Sequence, residues 1–201
     1  MAASSQDACA GILMDESGSL IARVRDGDKT AFRLIFERHH RLVLRFLYGM
    51  VGEHGLAEEL TQETFMRAYR NIHSLRDEAM LSTWLCGIAK NAASNALRSR
   101  RREVHTIEID GEDTVELRSD KLLPDAQLLN TELSGVIRDA LSRLGEDKRL
   151  VFTLKVLQQK SYEEIALITG ASIPKLKTDL HRAKAEMRRL IRPYLEASDE
   201  M

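Results

Sequence analysis

Apolar side chains return every three or four residues along most of this chain, a period that only α-helices satisfy. Phe32, Ile35, Phe36, Val43, Phe46, Leu47 and Met50 follow the rule with one gap at His39. Asp28 is placed to cap that helix and the Gly52–Gly55 stretch to end it. A second helix is expected from about Leu56 to Ile72, a third from about Ser82 to Arg102, and a shorter opening helix near Ser19 to Asp26 completes a four-helix unit. Prolines occur only at 124, 174 and 193, and the sole weak strand candidate is Val104 to Asp110. The fold class expected is all-α.

Periodicity fades from Glu103 to about Leu123, where acids take over. Between Glu103 and Asp125 eight acids face only Arg118 and Lys121. Such a segment buries too little apolar surface to fold alone and reads as a flexible acidic linker. Helical spacing resumes at Leu128, Leu129, Leu133, Val136, Ile137, Ala140, Leu141 and Leu144. The expected organisation is therefore a disordered extension (1–18), a helical domain (19–102), a linker (103–124), a second helical domain (125–195) and a tail (196–201).

The formal net charge is only −1, but it is unevenly spread. Arg98 to Arg102 holds four arginines in five residues, and Lys175 to Arg192 holds seven Lys or Arg against Asp179 and Glu186. Blocks of this kind point to an anionic partner. Two cysteines, Cys9 and Cys86, give no disulfide framework, and the N-terminus has neither the basic start nor the apolar core of a signal peptide. No apolar run reaches the ~18 residues of a membrane span. A cytoplasmic protein without membrane insertion is expected.

Ser161 to Met187 is the most informative stretch. Ser161 and Glu164 have the spacing of a capping box, and Ile165, Ala166 and Ile168 supply a buried face before Gly170 stops the helix. Pro174 suits the first turn of a new helix. There Leu176, Leu180, Ala183, Met187 and Leu190 must face inward. Lys175, Thr178, Asp179 and Arg182 then fall on one outward stripe, with Lys177, His181, Lys184 and Arg188 beside it. This is how a helix-turn-helix presents a reading helix to a major groove. The alternative is a solvated basic face on an ordinary helical hairpin. In the first domain, Leu56, Ala57, Leu60, Thr64, Ala68 and Ile72 share one side of a helix, while Glu59, Gln62, Glu63 and Met66 occupy an outer arc. That arc is either a solvated face or a dock for a basic protein surface.

The segments EELTQETFMRAY, STWLCGIAKNAASNALRSRRR and SYEEIALITG…KTDLHRA occur in the order and spacing of bacterial RNA polymerase sigma factors of the extracytoplasmic-function group. The chain resembles that family from about Leu20 to Pro193. The resemblance implies that Glu58, Glu59, Leu60, Gln62, Glu63 and Phe65 grip the clamp helices of the largest subunit of core RNA polymerase. It implies that the loop beginning at Leu75 and Arg76, together with Lys90, Asn91, Asn95, Arg98 and Arg101, binds the minus-ten element as a non-template single strand. Lys175, Lys177, Thr178, His181 and Arg182 match positions that read duplex DNA at the minus-thirty-five element. It also implies an anti-sigma factor or other regulator as a partner. Chemistry agrees: an extruded base needs polar groups for its edge, which Asn supplies, and arginines track phosphates. The chain departs from the family pattern at Leu56, Leu75, Leu81, Pro174, Lys175 and Asp179.

Other residues point to no further chemistry. Adjacent His39 and His40 diverge by ~100° on a helix, and neither a Cys cluster nor HExxH accompanies them, so no metal is expected. Trp84 is a stacking platform or, beside Leu81, Leu85 and Ile88, a core residue; Cys86 reads as core. Thr61 and Thr64 flank the outer acids and are phosphorylation candidates or plain helix threonines. With no nucleophile–base pair and no phosphate-cradling glycine loop, neither an enzyme nor a cofactor is expected. A free-standing helix-turn-helix regulator leaves the acidic arc unexplained, and a helical adaptor leaves the basic helix unexplained.

Overall fold

The computed structural model describes residues 20–110 and 128–199. All regular structure among them is helical. Residues 20–25 form α1, followed by α2 (Lys29–Val51), α3 (His54–Arg70) and α4 (Leu81–Asp110). Two short 3₁₀ turns, Ile72–Ser74 and Glu78–Met80, carry the chain from α3 into α4. The second half holds α5 (Leu128–Arg143), α6 (Glu146–Phe152) with a π-helical turn at Thr153–Leu157, α7 (Tyr162–Thr169) and α8 (Ile173–Asp199).

The helix boundaries have local causes. The Asp28 carboxylate accepts from the amides of Thr30 at 2.8 Å and Ala31 at 3.1 Å, satisfying two orphan donors of α2. Gly52 ends that helix at φ 77°, a conformation that costs glycine little. The loop before α4 is pinned from α1, where Arg25 donates to the Leu75 carbonyl at 2.6 Å. Ser161 and Glu164 form the expected capping box: the Glu164 amide donates to Ser161 Oγ, and the Ser161 amide donates to Glu164 Oε2. Gly170, at φ 75°, closes α7.

One expectation is corrected. Helix α4 does not stop at Arg102 but continues to Asp110, so the weak strand candidate Val104–Asp110 is helical and the linker reading loses its first eight residues. The acids there contribute no alternation strong enough to leave the helix that the preceding residues propagate. The rest of the linker and the extension over 1–18 lie outside the described residues.

Buried side chains of the two halves form one continuous cluster. It includes Phe46, Leu47, Leu60, Phe65, Leu85 and Cys86 from the first half, and Leu144, Leu154, Ile165, Leu176, Leu180, Ala183 and Met187 from the second. Helix α7 packs on α4, and α5, α6 and the π-helical turn pack on α2.

Candidate DNA- and polymerase-binding surfaces

The inward stripe of α8 is Leu176, Leu180, Ala183 and Met187, all buried. With that side fixed, Lys177, Thr178, His181 and Arg182 are held outward and exposed. The pairings on this helix differ in kind. Lys177 Nζ lies 5.7 Å from the centroid of the Tyr162 ring, and Thr178 Oγ1 donates to the Pro174 carbonyl at 3.0 Å. Lys175 bridges Asp179 at 2.6 Å and Asp147 at 2.9 Å. The Asp179 carboxylate, followed by that of Asp147, holds the Lys175 ammonium pKa above its ordinary value. Asp179, an acid where phosphates would approach, thus carries its own counter-ion.

The surface of α4 divides into two stripes, since at ~100° per residue positions 91, 95 and 98 lie on one side and 83, 90, 94 and 101 on another. Asn91, Asn95 and Arg98 are exposed. On the other stripe, Ser94 Oγ donates to Glu146 at 3.0 Å, Arg101 pairs with Glu146 at 3.4 Å, and Lys90 is half-buried. The basic run is therefore shared between two jobs: Arg98 faces solvent, Arg100 pairs with Glu53, and Arg101 reaches the second half. Of the loop residues, Arg76 is exposed but Leu75 is only 4% exposed. The Leu75 side chain belongs to the core and is unavailable to a base. Trp84 is half-buried against the core, and Cys86 is fully buried, its thiol pKa pushed up to about 11 by desolvation.

On α3 the outer arc carries Glu58, Glu59, Gln62 and Glu63. Glu63 pairs with Arg67 at 2.5 Å, and Glu58 lies 3.5 Å from His54 Nδ1. Leu60 and Phe65 do not join this surface. Both are buried, and Phe65 packs edge-on against Phe36 with centroids 4.8 Å apart. Thr61 and Thr64 are buried too, each donating to the carbonyl four residues back at 2.7 Å. Their hydroxyls have no room for a phosphate. Met66, which lies outside the set implied by resemblance, is 56% exposed in the middle of the acidic arc. An apolar side chain on an outward stripe was the available signal.

These parts amount to a helical protein with an acid-and-methionine face on one half and a helix-turn-helix on the other, a DNA-binding subunit built to join a larger protein. The family model described as Sigma-70 region 2 matches residues 35–103, and the one described as Sigma-70, region 4, matches residues 134–187. An ECF RNA polymerase sigma-E factor from Haemophilus influenzae is 33% identical over 183 residues, covering 88% of this chain and 96% of that one. The ECF RNA polymerase sigma factor SigW from Bacillus subtilis is 30% identical over 177 residues, covering 86% and 95%. Among solved structures, the sigma factor RpoE of Bartonella quintana, in complex with the anti-sigma factor NepR, superposes with a TM-score of 0.66 at 25% identity over 80% of this chain and 96% of that one. CnrH, in complex with the cytosolic domain of CnrY, shares the fold with the same TM-score at 19% identity over 89% and 99%.

The chain belongs to the extracytoplasmic-function group of the sigma-70 family. It is a sigma factor, which joins RNA polymerase in promoter recognition and transcription initiation.

Proposed function

We propose that the chain works stoichiometrically and not as an enzyme, with a distinct surface for each partner. On this reading the first described half, to the end of α4, is the region 2 domain and α5–α8 the region 4 domain, joined by the residues between. Lys177, Thr178, His181 and Arg182 read the minus-thirty-five duplex, with Lys175 acting there once freed from its acids. Asn91 and Asn95 meet an unstacked minus-ten base, and Lys90, Arg76, Arg98 and Arg101 follow the phosphates of the single strand. Glu58, Glu59, Gln62 and Glu63 dock the polymerase clamp, with Met66 at their centre. Leu60 and Phe65 support that face from beneath.

The observation that carries the reading is the α8 stripe: four apolar residues buried inward hold a run of cations and hydrogen-bonding groups outward, as groove reading requires. No helix among the described residues is long and apolar enough to cross a membrane, which supports cytoplasmic work beside the chromosome. Two solved relatives are held by other proteins, and we propose an anti-sigma partner for this chain as well.

The polymerase face is tested by Glu59→Lys with Glu63→Lys. Both positions are on the outer arc, so the helix stays folded while the patch reverses sign. Co-elution with core polymerase at moderate salt is expected to disappear. If the double variant still co-elutes as the parent does, this face is not the dock.

A further inference from the structure

The chain between α6 and α7 is irregular in a way that the surfaces described above leave unexplained. The π-helical turn at Thr153–Leu157 is followed by Gln159 at φ 54°, a left-handed conformation that few residues other than glycine adopt. Two hydrogen bonds hold it. The Lys160 amide donates to the Leu154 carbonyl at 3.0 Å, and the Lys155 ammonium donates to the Lys160 carbonyl at 2.9 Å. They fold the turn back on itself and bring Lys155 to Tyr162, the first residue of α7, where its Nζ lies 4.8 Å from the ring centroid. Tyr162 is also anchored in its own right. The capping box of Ser161 and Glu164 fixes the turn on which it stands, and its half-buried side chain packs against the core.

From α8, Lys177 Nζ stands 5.7 Å from the centroid of the same ring. An ammonium within about 6 Å of an aromatic face is attracted by the ring quadrupole. Among the described residues Lys177 makes no hydrogen bond and no ion pair, so the ring is its one close partner. Lys175, by contrast, is held by Asp179 and Asp147, and Lys148 by Glu186. The ammoniums of Lys155 and Lys177 repel each other, and Glu163 beside them offsets that repulsion. Its carboxyl is held below its ordinary pKa by its own amide and the Ser161 hydroxyl first, then by the two lysines.

A lysine reads sequence poorly unless it is held. Its ammonium is a point charge on a flexible four-carbon stem, whereas the arginine fork is planar and rigid. Left free, such a charge follows the nearest phosphate and carries no sequence information. Held in one place, it can donate to the O6 and N7 edge of a guanine. Lys177 stands near the start of α8, the part of a reading helix that meets base edges.

We propose that Tyr162 is a positioning residue for promoter reading: its ring holds the Lys177 ammonium over one base pair of the minus-thirty-five element and turns a mobile charge into a specificity determinant. The proposal rests on Lys177 reading the duplex. Tyr162 acts through that lysine and not through its own hydroxyl.

The test is transcription by the full-length protein with core polymerase from a library randomised across the minus-thirty-five element, at fixed salt. Lys177→Ala is expected to erase preference at one position. Tyr162→Leu keeps bulk but has no quadrupole, and should weaken preference at that same position by about two- to fivefold, the worth of an exposed cation–π contact. Tyr162→Phe keeps the ring face and should show the parental preference. In the Lys177→Ala background, Tyr162→Leu should remove nothing further at that position. Tyr162→Met, equally free of a ring, takes the place of the leucine variant if that protein melts below the assay temperature. A loss spread evenly over all positions overturns the proposal, because the side chain would then be only a support for the fold. An equal loss in Tyr162→Phe overturns it too, because the hydroxyl would then be the working group. Preference unchanged in Tyr162→Leu but relaxed in Lys177→Ala overturns it while leaving Lys177 a reader. Preference unchanged in Lys177→Ala removes the reading beneath it as well.

Discussion

Phe65 and Met66 are neighbours on α3 that the structure sends to opposite fates, and substituting each gives a sharp test. Phe65 is 3% exposed and meets the rings of Phe36 at 4.8 Å and Phe32 at 6.4 Å, both edge-on. Truncating a buried phenylalanine to alanine costs about 3–5 kcal/mol in lost burial and residual cavity. At about 2–4 °C per kcal/mol for a chain of this size, the melting temperature should fall by roughly 6–20 °C. Phe65→Leu refills most of the space and should cost about 1–2 kcal/mol. Met66→Ala removes an exposed side chain and should change stability by no more than about 0.5 kcal/mol. The assays are urea denaturation and co-elution with core polymerase at a temperature where every variant is folded. Phe65→Leu should retain polymerase and Met66→Ala should bind it more weakly. A Phe65→Leu protein of nearly parental stability that no longer binds polymerase would refute the reasoning, because Phe65 would then be a contact and not a support.

Other outcomes follow from the same geometry. Asn91→Ala should impair transcription from duplex promoters more than polymerase binding, and the defect should shrink on a pre-opened template, where the unpairing cost is already met; equal loss on both templates counts against a base-reading role. Arg182→Ala should relax preference at one minus-thirty-five position, by the ~1–3 kcal/mol of a bidentate guanine contact, while Lys184→Ala weakens all sequences alike at fixed salt. Asp179→Ala takes from Lys175 its nearer counter-ion, so it should tighten binding to all sequences and steepen the salt dependence. Desolvation raises the Glu164 pKa, but hydrogen bonds from Lys160, Ser161 and Thr83 outweigh it and bring the value to about 2. The stability Glu164 contributes is therefore present above its ordinary pKa of 4.5 and lost as pH falls from there toward about 2. His39 adds an earlier acid loss, beginning as pH falls through 6.5, because desolvation, then Arg38 and Lys160, disfavour its charged form. Denaturation midpoints across pH should lose the first step in His39→Gln and the second in Glu164→Gln.

The sequence by itself determined the helices, their caps and their inward faces. Asp28, Gly52, Ser161, Glu164 and Gly170 act within a few residues of where they stand, and the apolar period on α8 set which side Arg182 shows to solvent. These are local matters, governed by the geometry of one turn. The family motifs pointed to segments of the chain, but not to the depth of each residue in them. Leu60, Phe65 and Leu75 sit within motif segments and are buried, whereas Met66 is exposed, because burial depends on what packs against α3 and on Arg25 drawing in the Leu75 loop. The length of α4 was also missed, since charge composition hid a helix that its first turns propagate. What only the tertiary structure decided was the meeting of the halves. Lys160 lies 77 residues from Thr83 and 78 from Ser82, and Arg149 lies 99 from Met50, yet each finds its partner across the seam. No local pattern encodes such pairs, because they arise from the docking of two surfaces that are distant in sequence.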